Sequence, residues 1–289
     1  MKRPIASLSF LFCLLAAPLL AQPTIGGGAC NSGSLSGVYA VSITSRQVTA
    51  SGTYTGVSQA NGSANFDGLS AVTISLTANT GQAAATPLTW SGTYSVQANC
   101  AGVINIATGG SATLNLAIYD SGNDFLLGGS DGSSTYSGSG NAQPAACSAS
   151  TFSGVYTFNG TGFALTGTAV SGVDNGAGLL QFDGVSRVTA NLTMSASGAA
   201  PSALTITGSY SISSNCLGSA TLTDASNNSY VMSFSIYNSS VANAAAYLGL
   251  AQSSKFLVTG STHAAYGQPA AVSMVRKPLS GVADRGGRA

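Results

Sequence analysis

Charge is what this sequence has least of. Charged residues make up 6% of the 289 positions, where soluble proteins ordinarily carry about 25%. There is no Glu at all, so every acidic residue is an Asp. A dense basic stripe able to neutralise phosphates is also missing, which excludes a nucleic-acid surface. His263 is the only histidine, so at most one His-dependent nucleophile could exist, and no Gly-x-Ser-x-Gly elbow accompanies it. A surface or edge position is expected for it. The cysteines lack the short paired spacings of a zinc site. Glycine-rich stretches such as Gly26-Gly27-Gly28 and Gly128-Gly129-Ser130-Asp131-Gly132 have neither a following helix nor the lysine of a phosphate loop. No cofactor site is therefore expected. No segment shows a helical period, and no long apolar run follows Leu20.

The apolar run at the start is of another kind. Met1-Lys2-Arg3 precedes an apolar stretch from Ile5 to Leu20, closing on Ala17-Pro18-Leu19-Leu20-Ala21. Two positive charges, a short apolar segment and small residues before the break read as a secretory signal peptide over residues 1–21. Cys13 falls within it. The expected mature chain has no membrane span and is secreted or held in the cell envelope. Residues 22–271 hold seven Asp against three basic residues, Arg46, Arg187 and Lys255, for a net charge of about −4. The tail reverses the sign with Arg276, Lys277, Arg285 and Arg288 against Asp284, and residues 269–289 are expected to be a disordered basic tail.

Self-comparison shows a duplication. Leu35-Ser36-Gly37-Val38-Tyr39 returns as Phe152-Ser153-Gly154-Val155-Tyr156. Phe66-Asp67-Gly68-Leu69-Ser70 returns as Phe182-Asp183-Gly184-Val185-Ser186. Gly92-Thr93-Tyr94-Ser95-Val96 with Asn99-Cys100 returns as Gly208-Ser209-Tyr210-Ser211-Ile212 with Asn215-Cys216. The order is kept, and Gln-Pro-Ala-Ala closes both copies, at Gln143 and Gln268. The expected organisation is a linker over 22–29, a first domain over 30–143, a linker over 144–146 and a second domain over 147–268. Four mature cysteines allow three pairings. The duplication favours Cys30 with Cys100 and Cys147 with Cys216, one bridge per copy, and an oxidising compartment permits both.

Alternation is clean within the copies. Leu88, Trp90, Tyr94 and Val96 share one face, while Thr89, Ser91, Thr93 and Ser95 share the other; Leu204, Ile206, Tyr210 and Ile212 repeat this pattern. Val72, Ile74 and Leu76 alternate with Thr73, Ser75 and Thr77 in the same way. Period two in residues of this kind means half-buried strands, each with a wet side. About eight strands per copy, separated by Gly, Asn, Asp and Ser clusters, predict an all-β protein of two tandem antiparallel domains. Each is read as an eight-stranded up-and-down barrel, since closure removes exposed edges that Lys and Glu do not guard here; a β-sandwich is the alternative. A membrane barrel is disfavoured, because aromatic girdles are missing and its outward faces would be Thr and Ser.

Few residues suggest chemistry. Asp67-Gly68 and Asp183-Gly184 could be repeated carboxylates but read as tight turns. Asp120-Ser121-Gly122-Asn123-Asp124 lacks the spacing and distal Glu of a calcium loop and reads as a solvated turn. The inward aromatics Tyr39, Trp90, Tyr94, Tyr156 and Tyr210 could line a pocket for a small apolar ligand, or could simply be core.

The string Ser-Gly-Val-Tyr, then Phe-Asp-Gly, then Gly-Thr-Tyr and, after five intervening residues, Cys, resembles a class of exported bacterial proteins of unknown function built from β-rich units. That resemblance covers both copies and implies export and β architecture; it supplies no substrate. The expected role is non-enzymatic: a structural, adhesive, matrix or envelope protein whose partners are matrix or envelope components. A small apolar ligand-binding barrel is the alternative, and an Asp-dependent enzyme ranks below both.

Overall fold

The computed structural model describes residues 29–52, 54–80, 85–166, 169–196, 200–238, 244–252 and 256–264. The expected signal peptide, the Gly26–Gly28 stretch and the basic tail lie outside them. Two closed antiparallel barrels follow one another along the chain. The first comprises β1 (Ser36–Val48), β2 (Tyr54–Asp67), β3 (Ala71–Asn79), β4 (Thr86–Val96), β5 (Ala101–Thr108), β6 (Ala112–Tyr119), β7 (Asp124–Ser130) and β8 (Ser134–Ala142). The second comprises β9 (Ser153–Thr166), β10 (Ala169–Asp183), β11 (Arg187–Ala196), β12 (Ser202–Ile212), β13 (Leu217–Thr223), β14 (Ser229–Asn238), β15 (Ala245–Gln252) and β16 (Phe256–Ala264). Each strand pairs with its sequence neighbours, and each barrel closes by its first strand meeting its last, β1 with β8 and β9 with β16. The chain is thus all-β, in two up-and-down barrels rather than a sandwich. An eight-stranded barrel is just wide enough for side chains to fill, so one residue in two along each strand forms the core.

Each barrel is plugged at one end by a short 3-10 turn, Ser32–Ser34 or Ala149–Thr151. The residue after each turn, Leu35 or Phe152, is fully buried. The tyrosine of the repeated Gly-Thr/Ser-Tyr string holds the plug. Tyr94 Oη donates to the carbonyls of Ser32 and Leu35, both at 2.9 Å, and Tyr210 Oη lies 3.3 and 3.4 Å from those of Ala149 and Phe152. Disulfides Cys30–Cys100 and Cys147–Cys216, each with Cα atoms 4.9 Å apart, pin the same segments. Closing loops of 70 and 69 residues is worth about 4 kcal/mol each by the chain-entropy argument.

Above the plugs lie aromatic clusters whose members change place between the copies. In the first barrel Tyr39, Phe66, Tyr94 and Phe125 pack ring to ring, with neighbouring centroids 4.9–5.7 Å apart. The second uses Phe152, Tyr156, Phe182, Tyr210 and Phe234. Ile118 and Ile236 each donate to the carbonyl of the second cysteine of their copy at 2.9 Å, which aligns β6 with β14. In that alignment Phe125 corresponds to Ala246 and Phe234 to Leu116. The ring moves one strand around the barrel, and the glycine that makes room for it moves too.

The barrels stand side by side with their plugged ends pointing the same way. Near the far ends Val57 of the first packs with Leu165 and Ala251 of the second. Near the plugged ends Asn141 meets Tyr247. Ser233 on β14 receives hydrogen bonds on its hydroxyl from Asn61 (3.4 Å) and Asn79 (3.1 Å), side chains of β2 and β3. A Cβ at Gly249 would sit 2.8 Å from Asn61 Nδ2, so glycine there sets how closely the barrels approach. The sequence reading expected every strand to keep one wet face. That is corrected for β14 and β15: Ser233, Ser235, Ala245, Gly249 and Ala251 point outward from the second barrel, yet are buried against the first.

Candidate binding groove between the barrels

Beside this contact the outer faces of β1 and β8 diverge from those of β9, β15 and β16. The resulting open groove of about 390 Å³ is lined on one side by Ser42, Thr44, Ser137 and Ser139, and on the other by Asn159, Thr161, Tyr247 and Ser261. Alternation builds these walls. Tyr39, Val41 and Ile43 point inward on β1, leaving Ser42 and Thr44 outside, while Tyr156 and Phe158 do the same for Asn159 and Thr161 on β9. No lining residue is ionisable except Tyr247, whose hydroxyl burial pushes well above its ordinary pKa. The volume lies at the low end of small-molecule sites, about 300–1,000 Å³.

The groove ends differ. Toward the plugs a relay crosses between the barrels: Ser139 Oγ donates to Tyr247 Oη at 2.8 Å, Tyr247 donates to Asn141 Oδ1, and Asn141 Nδ2 donates to Asp124. Burial raises the Asp124 pKa, partly offset by the Asn141 hydrogen bond. Tyr237, its ring centroid 4.9 Å from that of Tyr247, is pushed to about 12 by burial and the nearby Asp124. At the other end Arg46 lies over the Phe163 ring, 5.6 Å from its centroid. Beneath the walls Gln59, 2% exposed, stands opposite Thr44 in register and donates to the Thr161 carbonyl at 3.4 Å.

The five aromatics named as a possible apolar pocket, Tyr39, Trp90, Tyr94, Tyr156 and Tyr210, all lie in the barrel cores, at most 6% exposed. Four have hydroxyls already bonded to backbone carbonyls; Tyr39 donates to Gly122 at 2.7 Å and Tyr156 to Ser153 at 3.0 Å. Trp90 packs edge-on against Tyr136. They fill the interior and hold the plugs, which weighs against a ligand lodged among them. A smaller cleft of about 200 Å³ at the far end of the first barrel is lined mostly by polar groups, including Ser45, Gln47, Ser58 and Thr80.

The repeated aspartates work as turn caps. Asp67 Oδ1 accepts the backbone N–H of Leu69, Ser70 and Ala71 at 2.8–2.9 Å, and Asp183 does the same for Val185, Ser186 and Arg187. These N–H groups hold both carboxyls below their ordinary pKa, in each case against an opposing contribution from desolvation. Gly68 and Gly184, both at φ 78°, supply the backbone that the turn requires. The stretch Asp120–Asp124, expected to be a solvated turn, is only partly so: Asp120 and Ser121 are exposed, but Gly122 is buried against Ser34 and Asp124 is tied to Asn141. His263 lies in β16, paired in register with Ala245. Among the described residues no three His, Cys or Asp side chains gather as metal ligands, and no helix is long and apolar enough to cross a membrane.

The sequence reading missed Tyr247, Asn141 and Gly249. A signal existed in Ala245-Ala246-Tyr247-Leu248-Gly249-Leu250-Ala251, where small and apolar residues occupy both faces of a strand.

No family model and no characterised protein sequence matches this chain. Among solved structures, the isotype 1 transferrin binding protein B from serogroup B Neisseria meningitidis aligns over 80% of this chain and 77% of its own, at 8% identity and a TM-score of 0.25. A score that low carries no argument about fold or role, and the architecture rests on the strands described above.

Proposed function

We propose that this is a non-enzymatic exported protein of the bacterial envelope or matrix that acts through uncharged surfaces. The observation that carries the reading is the groove, whose walls are hydroxyl and amide groups with no carboxylate or ammonium among them. Hydroxyls both donate and accept, so such walls suit a neutral, polyhydroxylated chain, and a strongly charged ligand finds no formal charge along them. Two disulfides and the likeness to exported bacterial repeat proteins support export. The packed aromatics of both barrels favour this reading over a small apolar ligand held inside them.

Fractionation of the producing cells, followed by sedimentation of the purified protein with insoluble neutral polysaccharide, tests it. The protein is expected outside the cytoplasm and in the polysaccharide pellet, with Thr161→Trp, which fills the groove, at least tenfold weaker in retention. Cytoplasmic protein, or retention that Thr161→Trp leaves unchanged, sinks the reading.

A further inference from the structure

The walls of the groove are neutral, but one cation stands at its end. Arg46 is the only basic residue of the first barrel and follows Thr44, two residues on, along the outer face of β1; Phe163 follows Thr161 in the same way on β9. Two residues of a strand span about 6.8 Å, so the Arg46–Phe163 pair lies one step beyond the last residues of the two walls. The guanidinium carbon stands 5.6 Å from the Phe163 ring centroid, a contact that holds the charge in place. Its surroundings are otherwise apolar: Val57, opposite Arg46 in register, packs with Leu165 and Ala251, and Phe163 leans on that cluster.

No carboxylate of the barrels neutralises this charge. All seven Asp of residues 22–271 are described, and none of them forms an ion pair or a hydrogen bond with Arg46. The half-buried guanidinium therefore keeps its N–H donors without a partner among the described residues. The opposite end of the groove carries the opposite sign, since the relay through Tyr247 and Asn141 ends on Asp124. Asn141 pairs with Ala40, six residues before Arg46, which sets the two charges about 20 Å apart along the groove. Both belong to the first copy alone. Seven residues after the repeated tyrosines Tyr39 and Tyr156 come Arg46 and Phe163, and Asp124, preceding Phe125, corresponds to Ala245, preceding Ala246. The repeated positions build barrels; these unrepeated ones give the groove a direction.

We infer that the groove takes a polyhydroxylated chain bearing a carboxylate, that Arg46 selects for the acidic group, and that the chain lies with this group at the Phe163 end. A guanidinium offers paired N–H donors that match the two oxygens of a carboxylate, and apolar neighbours such as Phe163 and Val57 strengthen the attraction by lowering the local dielectric. Asp124 repels the same group at the other end, so the reversed orientation is disfavoured. One cation serves one carboxylate, and the hydroxyl walls read the neutral remainder of the chain. The inference rests on the reading of the groove given above and adds to it a substituent and a direction.

Titration calorimetry of the purified disulfide-bonded chain at low salt tests it, with a neutral cello-oligosaccharide and the same oligosaccharide oxidised to a carboxylic acid at one end or the other. At least one acid-ended form is expected to bind about tenfold more tightly than the neutral one, the lower end of what a hydrogen bond to a charged group contributes. Arg46→Gln keeps a hydrogen-bonding head and removes the charge, so it should bring the ratio of acidic to neutral affinity to about one. Arg46→Lys should restore part of that ratio. Acid-ended chains that bind no more tightly than the neutral chain, or an advantage that survives Arg46→Gln, would each overturn the inference. The readout is a ratio measured on one protein, so a general loss of affinity in a variant does not imitate the result, and the Trp90 unfolding transition shows that each variant folds. Retention on neutral polysaccharide and its loss in Thr161→Trp report on the groove alone, so failure of that reading and failure of the acidic preference are distinguishable.

Discussion

Replacing Gly140 by alanine should destabilise the first barrel, and the cost should vanish when Phe125 is also truncated. Gly140 lies opposite Phe125 in register, and the fully buried ring covers it. A Cβ at 140 would stand 2.2 Å from Phe125 Cζ and 2.5 Å from Cε1, far inside van der Waals contact. Overpacking of this kind costs about 1–3 kcal/mol; alanine in place of a strand glycine recovers about 0.5–1 kcal/mol, leaving a central loss of about 1 kcal/mol. Phe125→Ala alone removes a ring packed on Tyr39 and Phe66 and should cost about 3–5 kcal/mol. In the double variant the clash has no partner, so its loss should not exceed that of Phe125→Ala, a coupling of at least about 1 kcal/mol. The assay is urea unfolding followed by Trp fluorescence. Trp90 is the only tryptophan and lies in the first barrel, so it isolates this barrel where a two-barrel chain need not unfold in two states. Additivity of the two substitutions to within about 0.5 kcal/mol would refute the reasoning, as would a neutral Gly140→Ala.

Three further outcomes are expected. Cys100→Ser, by opening the 70-residue loop, should lower the stability read at Trp90 by about 4 kcal/mol, while Cys216→Ser should barely move that transition; proteolysis of the second barrel reports the converse. Gly249→Val should force the barrels apart, since even a Cβ there falls 2.8 Å from Asn61 Nδ2; small-angle scattering should show a larger radius of gyration with the Trp90 transition little changed, and an unaltered profile counts against the interface. Stability should pass through a maximum as pH falls. Asp174 and Asp124 have raised pKa values because burial disfavours their charged forms, so they bind protons more readily when folded, and stability rises as pH drops from 7 through their folded values toward about 3.9. Asp67, Asp183, Asp131 and Asp224 have lowered values, the last two near 2, so their contribution is present above about 3.9 and is lost as pH falls from there toward 2. Thermal melts of Asp174→Asn should lack part of the rise above pH 4; an unchanged rise assigns it elsewhere.

Strand number, barrel closure and the layout of two tandem barrels were legible because each rests on a local pattern. The alternation of Leu88, Trp90, Tyr94 and Val96 is a backbone geometry written directly in side chains, and the duplication of Tyr94 with Cys100 marked the plugged end twice. The interior was only half legible. Phe125 and Phe234 occupy different strands in the two copies, because a ring needs a glycine across the ladder and either of two neighbouring strand pairs can supply one; volume is conserved over the cluster and not at each position. The groove was not legible at all. Ser42 and Thr161 read as solvent-facing strand residues, which they are; that they face each other depends on how two barrels pack, and the residues that decide it, Gly249 and Ser233, stand far from both in sequence.

The chemistry of the barrel contact bears on how an almost uncharged chain holds two closed barrels together. Closing each sheet removes unpaired edges, the usual route to aggregation when Lys and Glu are scarce, but it leaves outer faces that other copies can meet. The contact between the barrels could have been made of apolar side chains alone. It is instead built from Asn61, Asn79, Ser233 and a close-approach glycine, with Val57 at one edge. Asn61 keeps an unpartnered buried oxygen among the described residues, a cost of about 1–3 kcal/mol that an apolar residue would avoid. What the amides supply is register: Ser233 takes hydrogen bonds from two strands at once, and sliding the barrels by one residue pair, about 6.8 Å, would break both. A neutral contact fixed in register suits two barrels on one chain, where the tether supplies the effective concentration that a weak contact needs.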